Sequence, residues 1–400
     1  MSTSILYHTN GINGVQYKAT RYEKGAVIFE AEMRTGALCK KCGNLRTRRK
    51  GKKTRRFRMI PFGKKACFLD LLVHRLECSK CKYRWWPKLS FMPGKRRMTR
   101  SLVNHIIELM RFATIKDVAS LLNIGWDTVK DIHKEHLQKV YKNIDYKRIR
   151  YVGIDEFSIR KGHEYMTQFT DLETGRIIFA VEGKDMKAVA PFLRKLAKKA
   201  INLKAVAIDM SKAYITAVKK LLPHVDYVFD RFHVVALLNA SIDNIRREQQ
   251  EKCNKLGLKA IKGLRFLLLM NYEDIDSARS GSLNALLTVN KPIATAHAMK
   301  EQIRLFWSKN NRQEGAQFLI WWIKDAVRSG IKQLAKTGKT LLQYHEGLLN
   351  YFDHKISNGK TEGINNKIKT LKRQAYGYRD IEYFKLRLYH LHKQGYSLTG

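Results

Sequence analysis

Three short apolar runs in this sequence end on aspartate: Tyr151-Val-Gly-Ile-Asp155, Ala205-Val-Ala-Ile-Asp209 and, more loosely, Asp226-Tyr-Val-Phe-Asp230. Runs of this length and composition read as strands buried on both faces, as in the interior of a parallel sheet. Carboxylates at one edge of neighbouring strands repel each other. Raised pKa values or a bound cation must relieve that repulsion. Carboxylate oxygens suit hard cations, Mg2+ or Mn2+. This acidic spot belongs to a chain with a formal net charge of +42. The combination reads as a divalent-metal site in a nucleic-acid protein.

A third carboxylate stands in Ser357-Asn-Gly-Lys-Thr-Glu362-Gly-Ile-Asn-Asn-Lys-Ile-Lys369. Read as a helix, Ile364, Ile368, Leu371 and Ala375 make its buried stripe, and Glu362, Asn365, Lys369 and Arg373 fall along another face. One carboxylate followed by polar and basic residues fits a metal ligand beside a phosphate track. On spacing alone, a solvated face with a chance Glu is the plainer reading. His233, three residues after Asp230, is a second-tier candidate. It would position the scissile phosphate or act on the leaving group. A core His beside an N-cap Asp is the equal alternative.

Two Cys-x-x-Cys pairs, Cys39/Cys42 and Cys78/Cys81, point to different chemistry. Each puts two thiolates on one side of a tetrahedron, which suits Zn2+. The 35 residues between the pairs exceed the usual ribbon gap of about 15–20, so a strand pair is expected to fill it, with 64–76 as one strand. His74 is a possible substitute for one thiolate. Cys67 and Cys253 stand alone and read as packing residues. Between the pairs lies a basic loop over 46–58, in which Arg48, Arg49, Lys52, Lys53, Arg55 and Arg56 would meet phosphates. Trp85-Trp86 reads as a plug for this small module.

The elements that must position these groups follow from pattern. Residues 14–34 read as a hairpin turning at 23–25. Thr99 caps a helix to about Phe112. Ile115–Leu122, the turn Asn123-Ile-Gly125 and a helix over 126–141 give helix-turn-helix grammar. Asp127, Thr128 and Lys130 open the second helix, where base edges would be met. From Arg150 the pattern becomes α/β: strands at 151–160, 164–170 and 176–182, a helix at 185–200, a strand at 205–209, a helix at 212–221 and a strand at 227–230. Three antiparallel strands followed by crossovers is the order of an RNase H-like sheet. Its first and fourth strands are neighbours, which would bring Asp155 and Asp209 together. Residues 235–350 are Leu-rich and helical in period, with Trp307, Trp321 and Trp322 read as core. Gly281, Pro292 and Gly330 read as marks of the loops there.

The 400 residues suggest two or more domains. Lys and Arg outnumber Asp and Glu by 77 to 35, which points to a polyanion partner. The longest apolar runs, Leu264–Met270 and Phe318–Ile323, are too short to span a bilayer, and no signal peptide is visible. A cytoplasmic, nucleoid-associated protein with reduced thiols is expected, without a membrane partner.

The motifs together resemble bacterial insertion-sequence transposases of the DDE type, in the group called ISL-three. The matching residues are Gly153-Ile-Asp-Glu-Phe157, Arg160-Lys-Gly-His163, Ile208-Asp-Met-Ser-Lys-Ala-Tyr214, Asp230-Arg-Phe-His-Val234, Ser357-Asn-Gly-Lys-Thr-Glu-Gly-Ile-Asn-Asn366 and Gly377-Tyr-Arg379. The four-cysteine module and the helix-turn-helix match as well. The resemblance covers nearly the whole chain, and 357–379 is its most specific part. By it, Asp155, Asp209 and Glu362 correspond to the family's catalytic triad. It implies a multidomain protein: a zinc-ribbon-like basic module (1–95), a helix-turn-helix (96–145), an RNase H-like α/β catalytic core (146–235 and 351–400) and an all-helical insertion (236–350). The implied activity is binding of element ends, cleavage of double-stranded DNA and joining of the freed 3′-hydroxyl to target DNA. Joining two ends implies a homodimer or higher oligomer. Two other readings remain at this point: a non-enzymatic DNA-binding regulator, and a metal-dependent nuclease that does not join.

Overall fold

A computed structural model describes residues 5–34, 38–160, 164–255 and 263–393. The chain forms two units, one of Met1–Lys142 with the segment from Lys393, the other of Asn143–His392.

In the first unit, α1 (Ile5–Asn10) precedes a hairpin of β1 (Val15–Glu23) and β2 (Ala26–Met33). The hairpin closes at Lys24 and Gly25, both with positive φ. β3 (Thr47–Phe62) and β4 (Lys65–Cys78) form a long antiparallel pair, and β5 (Arg84–Trp85) adds to β4. The sheet order is β1-β2-β4-β3, with β2 and β4 parallel. Phe29, Phe57, Leu69, Leu71 and Val73 form its buried side.

The basic run is therefore not a loop. It is edge strand β3, exposed from Arg48 through Thr54. An edge strand needs hydrogen bonds to one neighbour only, and β4 supplies them. Phe57 and Met59 anchor its far half in the core. Charge along an open edge also blocks pairing with stray strands.

The helix-turn-helix is α2 (Arg100–Leu109), α3 (Ile115–Leu122) and α4 (Trp126–Val140). Thr99 caps α2, and Thr114 with Asp117 makes a capping box on α3. Asn123 turns the chain in the left-handed region at φ 49°. Leu102, Ile106, Val118, Val129 and Ile132 close the core between the helices. Arg58 of β3 donates to the carbonyl of Leu122 at 2.6 Å, tying sheet to helix.

In the second unit, β6 (Tyr151–Arg160), β7 (Glu164–Asp171) and β8 (Arg176–Glu182) are antiparallel. Then come α5 (Met186–Lys199), β9 (Ala205–Ile208), α6 (Lys212–Leu221) and β10 (Asp226–Phe229). The order is β10-β9-β6-β7-β8. β9 lies parallel to β6, with Gly153 opposite Ala207, and parallel to β10. The first and fourth strands are neighbours as expected. Residues alternate across β6. Val152 and Ile154 join the core with Phe192 and Leu196 of α5, whereas Gly153 and Asp155 face the other way.

The rest is helical: α7 (Arg231–Lys255), α8 (Arg265–Leu269), α9 (Ser277–Val289), α10 (Lys291–Arg304), α11 (Arg312–Arg328), α12 (Lys332–Gln343), α13 (His345–His354), α14 (Gly359–Gln374) and α15 (Ile381–His390). Gly330 does mark a turn, at φ 69°. Gly281 does not, because it sits inside α9, where Gly costs only about 1 kcal/mol relative to Ala. Pro292 lies in the first turn of α10, where no amide partner is lost. Trp322 is fully buried and donates to the Met299 carbonyl at 2.9 Å. Trp307 is half-buried under Arg231. Trp321 departs from the core reading, since 43% of it is exposed. Among the described residues no helix is long and apolar enough to cross a membrane.

Candidate active site and metal centre

The four paired cysteines converge. Cys39 and Cys42 lie just before β3, Cys78 ends β4, and Cys81 follows in the next turn. Cys39 Sγ lies 3.5 Å from Cys81 Sγ, and Cys42 Sγ lies 3.5 Å from Cys78 Sγ. All four sulfurs fall within 4.8 Å of one another. A tetrahedron of thiolates about 2.3 Å from zinc has edges near 3.8 Å, so the sulfurs stand close to that arrangement. The backbone N–H of Cys81, followed by that of Lys80, holds the Cys78 thiol down to about 6. Trp85 covers the cluster with Leu76 and stacks on Tyr83. His74 is not part of it, since its Nε2 lies 2.9 Å from Glu32 Oε1. Cys67 is buried in the sheet core, as a packing residue should be.

The second site is the edge where β6, β9 and β10 deliver their acids. Asp209 and Asp230 follow the last residues of β9 and β10, and Asp155 lies two beyond the last β6–β9 pair. Burial raises the pKa of Asp209. The Ser211 N–H and the nearby His233 oppose that rise, and the charge of Asp155 adds to it. Burial likewise raises Asp230, against the Phe232 N–H and His233. Glu156, missed in the sequence, is also raised, mainly by burial, with Asp209 and Asp155 contributing. It takes a 2.7 Å hydrogen bond from the Tyr214 hydroxyl on α6.

Among the described residues, none of Asp155, Asp209 and Asp230 forms an ion pair with Lys or Arg. In a chain with 77 such cations, that leaves concentrated negative charge for something else to neutralise. A hard divalent cation fits such a donor set. The acids do not approach as closely as the sulfurs. The cysteines are the described group of three or more ligand atoms that meet within 4.8 Å.

Helix α14 lies against this edge. Asn365 Nδ2 donates to Asp155 Oδ2 at 2.7 Å, and Asn358 Nδ2 donates to the Ile154 carbonyl at 3.3 Å. Lys360 reaches the carbonyls of Leu172 and Glu173, and Lys372 reaches that of Ser158. Ile364, Ile368 and Leu371 are buried as expected. Ala375 is exposed instead, because α14 ends at Gln374 and Ala375 is its cap. Glu362 takes the place three residues before Asn365 on this helix. Its side chain lies outside the described part, as do residues 161–163.

Gly153 is what lets α14 come so near. A Cβ there would stand 2.5 Å from Asn358 Oδ1 and 2.8 Å from Leu172 Cδ2. Gly153→Ala is expected to destabilise the fold by about 1–3 kcal/mol, as overpacking does. The urea midpoint of the variant measures this.

A cleft of about 400 Å3 adjoins the acids, lined by Asp209, Ser211, His233, Leu237, Thr340 and Tyr344. His233 thus shares a cavity with Asp209, as its place after β10 suggested.

The remaining candidates form surfaces. Lys53 and Arg55 of β3 stand over the ring of Trp86, 5.5 and 5.4 Å from its centroid. Arg56 is bidentate to Asp70 at 2.7 and 2.6 Å, and Arg49 pairs with Glu32 at 3.2 Å. Arg48 and Lys52 point into solvent. At the start of α4, Asp127 is exposed and Thr128 half-buried, and Lys130 lies over Trp126. Lys369 and Arg373 are exposed along α14.

The sequence is similar to those of known transposases. Residues 152–388 match the profile of the DDE ISL3 family, described as transposase. Residues 87–137 match the helix-turn-helix domain of transposase family ISL3. The transposase for insertion sequence element IS1001 of Bordetella parapertussis is 32% identical over 356 residues, covering 88% of this chain and 87% of that protein. The transposase for IS1557 of Mycobacterium tuberculosis is 24% identical, covering 92% and 89%. Among solved structures, the Drosophila P element transposase strand transfer complex aligns with a TM-score of 0.40 at 12% identity, covering 73% of this chain and 91% of that one.

Proposed function

The chain belongs to the ISL3 family of DDE transposases, and on that premise we propose that it binds the ends of its insertion sequence, cuts the DNA there and joins the freed 3′-hydroxyl to target DNA. Asp155, Asp209 and Glu362 hold the catalytic ions, Mg2+ or Mn2+. The observation that carries this reading is the gathering of Asp155 and Asp209 at one sheet edge without a Lys or Arg ion pair among the described residues, with the Glu362 helix hydrogen-bonded to Asp155. Divalent ions held there would supply activation of the attacking oxygen and stabilisation of the leaving one. The protein's own part is to orient the acids and to keep the phosphate in line. His233, in the cleft beside Asp209, positions the scissile phosphate or protonates the leaving oxygen.

The strand order of the second unit supports an RNase H-like core. The parts are then a zinc module to about residue 95, a helix-turn-helix to 145, the core at 146–235 and 351–400, and a helical insertion between. The four cysteines hold one Zn2+. β3, α4 and the exposed cations of α14 grip double-stranded DNA, and two ends are joined by a dimer or larger assembly working at the nucleoid.

An assay with intact and pre-nicked element ends and Mg2+, reading cleavage on the first and joining on the second, tests the reading. Joined product is expected. Cutting without joining would make the protein a nuclease, and binding alone would make it a regulator.

The β3 grip has its own test. Changing Lys52 and Lys53 together to Ala is expected to lower the salt-dependence slope of DNA binding by about 2, with equal weakening across sequences. Titrations at several salt concentrations measure it.

A further inference from the structure

Asp155 and Gln168 are cross-strand partners on β6 and β7. Gln168 is fully buried, although Gln is seldom found inside a sheet. Its Nε2 donates to Asn365 Oδ1 at 2.7 Å, while Asn365 Nδ2 donates to Asp155 Oδ2 at 2.7 Å. The other Asp155 oxygen, Oδ1, accepts the N–H of Glu156 at 2.7 Å. Both carboxylate oxygens are therefore tethered.

The orientation of this relay is forced. An ionised carboxylate only accepts, so Asn365 must present its NH2 to Asp155. Its carbonyl oxygen then faces Gln168, which must present its own NH2. The price of this choice is visible, since Gln168 Oε1 is buried with no partner among the described residues. A packed pair of apolar residues would avoid that orphan, but could not fix an acid. A Lys in place of Asn365 would neutralise the ligand. An Asp would repel it.

We propose that Asn365 and Gln168 are positioning residues for Asp155. They set the rotation of the carboxylate that holds the divalent ion, and through α14 they set the register of Glu362, one turn earlier, against β6. This rests on the metal-site reading above. It gives Asn365 a task distinct from DNA contact. Outer partners of metal ligands are commonly worth 10–100-fold in metal affinity or activity.

The test uses the full-length protein without DNA and Mn2+ as the probe, bound ion being counted by electron paramagnetic resonance. Asn365→Ala is expected to weaken Mn2+ binding about tenfold. The Mg2+ concentration for half-maximal cleavage should rise by a similar factor. Gln168→Met should act in the same direction, and it decides the matter if Asn365→Ala does not fold. Unchanged Mn2+ affinity in the folded variants would overturn the proposal, whether or not DNA binding falls. Asp155→Asn runs beside them. If that variant binds Mn2+ as the wild type does, the metal reading itself fails; if it loses the ion while Asn365→Ala and Gln168→Met keep it, only the relay fails.

Discussion

Asp209→Asn should lower strand cleavage and strand transfer by at least about 10³-fold, roughly 4 kcal/mol of barrier, while binding to element ends persists. The amide keeps the shape of the carboxylate and removes the charge that draws the ion. Asp155→Asn and Glu362→Gln should behave alike. Stability distinguishes this from unfolding. Burial raises the Asp209 pKa, so its ionised form is disfavoured in the folded state. Such a group costs stability as pH rises past its unfolded value toward its folded one, and that cost persists at neutral pH. The variant should therefore melt at or above the wild type without metal. Added Mg2+ should stabilise the wild type and leave the variant unmoved. Cleavage assays on labelled ends, with melting curves at increasing Mg2+, measure both.

Removing zinc should have the next largest effect, and in the other unit. The cysteines pin the open ends of β3 and β4, where Thr47 pairs with Cys78. Beyond those ends run the exposed cations of β3. Cys78→Ser, or a strong chelator at neutral pH, should release one zinc per chain and fray that end of the sheet. DNA binding should fall at least about tenfold, since several phosphate contacts lose their scaffold together. Zinc binds the thiolates, so protons compete with it and acidification should release it. Metal analysis beside gel-shift titrations follows the two losses.

The elements that bury apolar residues at a clear period were legible from sequence. The strands that deliver Asp155 and Asp209, the capped helices around Asn123 and the hairpin closing at Gly25 all follow from local pattern. β3 was not, because a run of cations reads as incompatible with packing, and only the register shows that an edge strand need not pack there. Ala375 and Gly281 were misplaced for a smaller reason: a helix boundary or a tolerated Gly is a matter of about 1 kcal/mol. Gln168, Glu156 and Tyr214 carried no spacing signal at all. Each matters through a cross-strand or helix–sheet neighbour, and a linear pattern does not contain those. The one hint was a Gln within an otherwise well-formed strand.

Asp155, Asp209 and Glu362 are proposed to gather at the same ions. Replacing Mg2+ with Fe2+ and adding ascorbate and peroxide cuts a polypeptide where it lies beside the bound iron. Three cuts are expected, near residues 155, 209 and 362, all suppressed by excess Mg2+. Cuts near 155 and 209 with none near 362 would contradict it.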